Sequence, residues 1–209
     1  MSFKLGNTNI GELYVGSNKI AKAYLGSTLV YQSAAPGPTF DSVTIGTQTW
    51  MSKNLAIDDG GEGIIIKENV TANGVNFGTQ YYYTWDAAVR VAASIEGWHL
   101  PTYNEWKALA TFVGGLGVAG TKLKSTTGWD NNANGDDSYG FAVFPIGRPY
   151  SASSPYFPGK GNYAWFWTAF HYDPENMGGY LYFYTGADMS DEEFIDKSTR
   201  YNSVRLIKD

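Results

Sequence analysis

Between Tyr163 and Tyr201 twelve aromatic residues are interleaved with Gly, Asn, Asp and Ser. An ordinary core segment hides its rings among aliphatic residues. Here the runs Tyr163-Ala-Trp-Phe-Trp167 and Tyr180-Leu-Tyr-Phe-Tyr184 alternate them along apparent strands. Successive side chains of a strand point to opposite faces, so one face of this segment must look away from the core. Flat rings beside small polar groups supply contact area at low entropic cost together with adaptable hydrogen bonding. The segment therefore reads as a binding face. Trp165, Trp167, Phe183 and Phe194 are candidates for its buried side, and alternation sets Phe166 and Tyr182 on the face opposite Trp167 and Phe183.

The rest of the composition agrees with sheet rather than helix bundle. Twenty-five Gly, 16 Tyr and 7 Trp in 209 residues favour turns and aromatic-rich strands. A net charge of -5 leaves no broad basic field, so nucleic acid is not an expected partner. The absence of Cys removes disulfides, thiolate metal sites and thiol nucleophiles together. No apolar run reaches the length of a membrane span, and Met1-Ser-Phe-Lys-Leu-Gly6 lacks a signal peptide's apolar stretch.

Residues 3–31, within a module over residues 1–32, repeat with a ten-residue period. Gly6-Asn7, Gly16-Ser17 and Gly26-Ser27 open the units and Tyr-Val or Tyr-Leu pairs close them, which predicts short antiparallel strands joined by tight turns. So small a meander buries no core of its own. Two readings stand side by side: a sheet covering the main domain, and an oligomerisation or docking module that makes a homo-oligomer through residues 1–32. Residues 33–40, with Pro36 and Pro38, form a linker to a second domain over residues 41–209.

Within that domain Ser42 to Trp50 predicts a hairpin, and Gly63-Ile-Ile-Ile66 a short buried strand between loops. Thr84 caps a helix carrying Trp85, Ala88, Val89, Ala92 and Ile95 on one face, with Gly97 beyond it. Thr102 and Glu105 form a capping box ahead of the stripe Trp106, Leu109, Ala110 and Val113, which closes at Gly114-Gly115. Residues 121–148 read as loop-rich, with Trp129, Tyr139, Phe141, Val143 and Phe144 as core anchors, and residues 151–161 as an exposed loop.

Several blocks here resemble one family. They are Val43-Thr-Ile-Gly-Thr-Gln-Thr-Trp-Met-Ser-Lys-Asn-Leu55, Tyr83-Thr-Trp-Asp-Ala-Ala88, Gly97-Trp-His-Leu-Pro-Thr102 with Glu105 and Trp106, Leu123-Lys-Ser125 with Trp129, and Tyr139-Gly-Phe141. Phe166-Trp-Thr-Ala169, Tyr180-Leu-Tyr-Phe183 and Ser203-Val-Arg-Leu-Ile-Lys208 continue the series. Over residues 41–209 the chain resembles the Fibrobacter major paralogous domain family, a branch of the C-type-lectin-like fold. The resemblance implies an α+β domain with two helices and a small twisted antiparallel sheet, preceded by the β-repeat module. It further implies kinship with the variable proteins of diversity-generating retroelements, in which codons near the C-terminus are rewritten around a fixed framework. That framework would be Trp167, Leu181, Phe183, Val204 and Leu206. The ligand-binding, hypervariable positions would be Phe166, Thr168, Phe170, His171, Tyr172, Asp173, Tyr182, Tyr184, Asp188, Thr199 and Tyr201. Two departures from the family pattern are Tyr201-Asn202 before Ser203-Val-Arg and the acidic run Asp191-Glu-Glu193.

The inventory speaks against an enzyme. Formylglycine-generating relatives use cysteines and the iron enzymes of this fold use histidine clusters, whereas this chain has no Cys and only His99 and His171. His99 reads as structural and His171 as a contact. Asp130-Asn-Asn-Ala-Asn-Gly135 matches the front of a calcium loop, but the twelfth position is Phe141 where a bidentate Glu belongs, so a polar turn is expected. No metal and no cofactor is expected.

The expectation is thus a non-enzymatic protein that binds a protein or glycan receptor on a cell surface, as a phage receptor-binding or adhesion component at a virion tail tip or bacterial surface. The alternatives are a structural virion or pilus subunit and a carbohydrate-active enzyme. No nucleic acid and no membrane insertion enter any of these.

Overall fold

The computed structural model describes residues 38–153, 156–172 and 175–209 throughout and, within residues 3–32, the strands alone. The chain divides into two compact units, Met1–Thr39 and Phe40–Asp209. In the first, three antiparallel hairpins follow the ten-residue period. Strand β1 (Phe3–Leu5) pairs with β2 (Thr8–Ile10), β3 (Tyr14–Val15) with β4 (Asn18–Lys19), and β5 (Lys22–Leu25) with β6 (Thr28–Gln32). Each pair flanks one Gly-Asn or Gly-Ser dipeptide, the sequence signature of a two-residue hairpin connection.

The second unit opens with the hairpin of β7 (Ser42–Ile45) and β8 (Gln48–Met51). A longer hairpin follows, β9 (Ile65–Ala72) against β10 (Val75–Tyr83). It turns at Asn73-Gly74, both at positive φ (47° and 75°), which a type I′ turn requires and this dipeptide tolerates. Helix α1 (Trp85–Ala93), β11 (Trp98–His99), α2 (Tyr103–Phe112) and α3 (Leu116–Leu123) come next. A single 3₁₀ turn covers Asp130–Asn132. The chain ends with β12 (Tyr163–Tyr172), β13 (Met177–Tyr184), β14 (Glu193–Asp196) and β15 (Ile207–Lys208).

This corrects the expected fold class in two respects. There are three α-helices in the described part of this unit, not two, and three separate open sheets replace the single small twisted one. The sheets are β9–β10, β11-β15-β8-β7 and β12-β13-β14. The third helix is masked in the sequence by Gly117 and Gly120, both poor helix formers. Gly120 is there for space: a Cβ would lie 2.5 Å from the carbonyl oxygen of Asp188 and 2.7 Å from that of Ala187. The close approach is used, since Thr121 N–H donates to Ala187 O and Met189 N–H to Leu116 O. The short buried strand expected at Gly63–Ile66 is instead the start of the eight-residue β9.

One extended segment, Tyr201 to Ile207, ties the sheets together, and every residue of it is buried. Tyr83 and Asn202 exchange N–H···O bonds with each other, Trp167 N–H donates to Ser203 O, and Ser203 N–H donates to Trp165 O. Met51 N–H and Leu55 N–H donate to Leu206 O and Val204 O. The segment therefore contacts all three sheets in seven residues. Arg205 lies in the middle of it, fully buried. Its guanidinium donates to Asn54 Oδ1 (2.8 and 3.2 Å), Met51 O (3.3 Å), Ala142 O and Phe141 O, and stacks 4.6 Å from the Phe141 ring. Burial draws its pKa down, with only the distant attraction of Asp137 opposing. The neutral acceptors around it hold the ion in place of a carboxylate.

Packing divides between two main clusters. Trp50, Trp106, Phe141, Phe166 and Phe183 centre one, with Trp106 4.7 Å from Trp50 and 5.4 Å from Phe166 by ring centroids. Trp85, Trp167, Tyr83, Val204 and Leu206 centre the other, against α1. The β12-β13-β14 sheet stands between them and sends side chains into both.

Candidate functional site: the aromatic sheet

In the β12-β13-β14 sheet the register sets which rings share a face. Tyr163 pairs with Tyr184, Trp165 with Tyr182 and Trp167 with Tyr180, while Ala164 pairs with Phe183 and Phe166 with Leu181. Opposed residues of antiparallel strands share a face. One face thus carries Ala164, Phe166, Leu181 and Phe183, all essentially without solvent contact. Phe166 meets Phe183 edge-on at 6.2 Å. The other face carries six rings: Tyr163, Trp165, Trp167, Tyr180, Tyr182 and Tyr184.

The expected sidedness needs correction accordingly. Phe166 is not opposite Phe183 but beside it in the core, and Tyr182 shares its face with Trp165 and Trp167. Thr168 and Tyr201 are buried as well, so none of these three is placed to touch a ligand at the surface. Thr168 instead donates its hydroxyl to Glu192 Oε1 (2.5 Å), and Tyr201 packs with Val70, Tyr82 and Ile146.

The six-ring face is closed at one end and half-open at the other. Trp167 is fully buried and donates its indole N–H to Tyr83 O (2.6 Å). Tyr163, Trp165, Tyr182 and Tyr184 are half-buried. Tyr163 and Trp165 stack almost parallel, 4.8 Å apart with 10° between planes, and Tyr163 lies 5.8 Å from Tyr182 and 6.3 Å from Tyr184. Arg148 caps this ladder, its guanidinium carbon 4.5 Å from the Trp165 ring and 5.7 Å from that of Tyr180, and it donates to Asn202 Oδ1 (3.0 Å). Burial lowers its pKa from the usual arginine value. Tyr184 donates its hydroxyl to Asp188 (2.7 Å) and Tyr180 to Glu193 (2.5 Å), so the outer rings are fixed at both ends. Below them the buried Lys124 donates to Tyr184 O (3.0 Å) and Gly186 O (2.7 Å), and burial pushes its pKa down to about 8.

The remaining predicted site residues lie elsewhere. Phe170 and Tyr172 project from the far end of β12 on the core side of the sheet, beyond the core itself, and are exposed. His171 points the other way, 4.6 Å from the Trp85 ring. Thr199 is exposed and binds Asp196 Oδ1 through its N–H and hydroxyl. Asp173 lies outside the described residues. The eleven positions are therefore not one surface: Tyr182, Tyr184 and Asp188 belong to the ladder, and Phe170 and Tyr172 to a separate patch. Arg148, Tyr163 and Trp165 complete the ladder; alternation puts the two rings on the face of the buried Trp167, and no sequence signal shows that this face opens at their end.

The comparisons with known proteins bear on the whole second unit. Residues 43–208 match the Fibrobacter succinogenes major domain. The chain belongs to this family. No curated protein and no solved structure matches it.

As a Fibrobacter succinogenes major domain, the unit explains its own sequence blocks by structure. Glu105 closes the capping box on Thr102 with one carboxylate oxygen and reaches His99 Nε2 (2.8 Å) with the other, while His99 Nδ1 meets Asp209 Oδ1 (2.6 Å). Partial burial opposes the imidazolium, but the two carboxylates outweigh it and raise the pKa above the ordinary value. A raised folded pKa means stability that is complete below the unfolded pKa of about 6.5 and is lost as pH rises through the folded value. The melting temperature is thus expected to fall as pH is raised from about 6 to 8, and His99→Gln to flatten that fall. Equal slopes in thermal melts of parent and variant would remove His99 from the account. The effect is small because the ring is partly exposed.

The acidic run that departs from the family pattern is fully employed. Asp191 accepts from the Tyr103 hydroxyl, Glu192 from Thr168 and Glu193 from Tyr180. Three carboxylates in sequence are thus turned to three separate hydroxyl donors and form no pair. The Asp130 loop is a polar turn whose carboxylate accepts from the side-chain amides of Asn73 (2.6 Å) and Asn162 (2.5 Å). Among the described residues no group of three His, Cys, Asp or Glu is placed to hold a metal ion, and no helix is long and apolar enough to cross a membrane.

Proposed function

We propose that this family member is a non-enzymatic binding protein whose contact surface is the half-open ring ladder of β12 and β13, and whose partner is a protein or glycan receptor on a cell surface. The observation that carries the reading is the ladder itself. Four half-buried rings pack on one another, Tyr163 stacked with Trp165 and Tyr184 and meeting Tyr182 edge-on, capped by Arg148 and tethered through Asp188, while the opposite face of the same strands is closed core. Rings already held in place lose little freedom on contact, so their area converts efficiently into affinity. A role among the variable proteins of diversity-generating retroelements, in phage receptor binding or surface adhesion, fits the same arrangement. The five framework residues Trp167, Leu181, Phe183, Val204 and Leu206 are fully buried, and Tyr182, Tyr184 and Asp188 between them reach solvent. Codon rewriting at such positions changes the contact surface and spares the core.

Replacing Tyr182 and Tyr184 together by Ser is expected to abolish binding to intact bacterial cells and to immobilised glycans that retain the parent chain. The melting temperature should drop by roughly 4–8 °C, about 2 kcal/mol for the two half-buried rings together. A double variant that binds every probe as the parent does sinks the proposal.

A further inference from the structure

On the core side of the β12-β13-β14 sheet, beyond the core, four side chains from three strands surround a recess of about 210 Å³ with Glu175 on its rim. Phe170 and Tyr172 come from β12, Met177 from β13 and Phe194 from β14. The register brings them together: Tyr172 pairs with Met177, and Phe194 pairs with Gly179, where Thr168 and Glu192 fill the space that a side chain would take. Phe170 and Phe194 pack against each other in a tilted contact, 5.2 Å between ring centroids at 58°. All three rings are about half exposed (47%, 49% and 47%), although each could have been a polar residue at no cost to the core. Glu175 is exposed and makes no hydrogen bond or ion pair with any described residue.

We infer that this recess is an aromatic cage for a quaternary ammonium group, carried on a small choline-like solute. Three rings, each with a negative quadrupole on its faces, line one space, and a thioether and the Glu175 carboxylate complete its border. A neutral sugar finds few partners here, because Phe170, Phe194 and Met177 offer no strong hydrogen-bonding atom. A primary ammonium carries three N–H donors and a tight hydration shell, and the recess has Glu175 alone to replace that water. A quaternary ammonium has no donor to satisfy and sheds its weakly held water onto the rings. The volume is below the roughly 300–1,000 Å³ of ordinary small-molecule sites, so it suits a head group and not an extended ligand. The rim carboxylate disfavours a phosphate next to the cation. The cage lies on the face opposite the ring ladder, so it stands independently of the receptor reading above.

Titration calorimetry of the full chain with choline and with its uncharged isostere 3,3-dimethyl-1-butanol tests the assignment. Choline is expected to bind about tenfold more tightly than the isostere, the ratio that a partly desolvated cation–π contact supplies. Phe194→Leu keeps the apolar volume, removes a quadrupole and should bring choline down to the level of the isostere. Glu175→Gln should weaken choline several-fold and reduce its salt dependence. Tyr182→Ser, on the opposite face, should leave choline binding unchanged. Equal affinity for the isostere, a preference that survives Phe194→Leu, or no saturable binding overturns the cage. Tighter binding of n-butylammonium overturns the quaternary assignment, and tighter binding of phosphocholine overturns the role given to Glu175.

Discussion

Arg205→Met is expected to lower the stability of the second unit by about 3–5 kcal/mol, the range for removing one member of a buried charged network. Methionine fills much of the space and leaves no large cavity. The loss comes from the acceptors left behind: Asn54 Oδ1 and the carbonyls of Met51, Phe141 and Ala142 all point at the vacated position. Each buried acceptor without a donor costs about 1–3 kcal/mol, partly recovered if water enters. For a chain of this size the loss corresponds to roughly 10–15 °C in melting temperature. Asn54→Ala should cost less, because the guanidinium keeps its three carbonyls. Thermal and urea melts of both variants order the effects, and a Met variant as stable as the parent would show that the network contributes nothing net. Since Arg205 sits in the segment that bonds to all three sheets, its loss is also expected to loosen the strands that carry the ring ladder.

Local signals in the sequence were legible wherever one residue type does one physical job. The Thr102–Glu105 capping box forms as expected, and the Gly-Asn and Gly-Ser dipeptides separate the paired strands of the first unit. Asn73-Gly74 carries an equally clear hairpin signal, yet the flanking strands alternate weakly and only the apolar start of β9 stands out in the sequence. Helix α3 was illegible because Gly120 answers to the backbone at Ala187 and Asp188, which lies some 67 residues further along the chain and far from any local pattern, and Gly117 adds a second poor helix former. Arg205 and Arg148 are illegible for a related reason. A charged residue reads as surface until its acceptors are known, and theirs come from distant loops.

The sidedness of the aromatic strands shows where sequence reasoning stops. Alternation within β12 separates Phe166 from Trp165 and Trp167, and alternation within β13 separates Phe183 from Tyr182; both separations hold. What alternation leaves open is which set of β12 shares a face with which set of β13. That depends on register, and a shift of one residue exchanges the faces completely. Here the pairing is further displaced between Trp167 and His171, where two extra residues of β12 are accommodated. Sequence alternation thus marks the aromatic segment but leaves its division between core and surface open, and Phe166, Thr168 and Tyr201 fall on the buried side.

That division can be measured directly. Phe166→Ala is expected to cost about 3–5 kcal/mol, the usual penalty for emptying a buried aromatic site. Its ring fills space between Trp106 and Phe183, and Arg205 lies 5.9 Å above it, so neighbours cannot collapse inward without breaking the arginine network. Tyr182→Ser removes a ring from the opposite face of the adjoining strand, where the side chain is only partly buried, and should cost about 1 kcal/mol. The two residues are both large, both aromatic and both in the middle of a strand, so their difference isolates which face is core. Urea denaturation of each variant, read against the parent at equal slope, is the measurement. A Phe166 variant that melts with the parent while the Tyr182 variant unfolds would reverse the faces, and the ligand surface would then have to be sought among Phe166, Leu181 and Phe183.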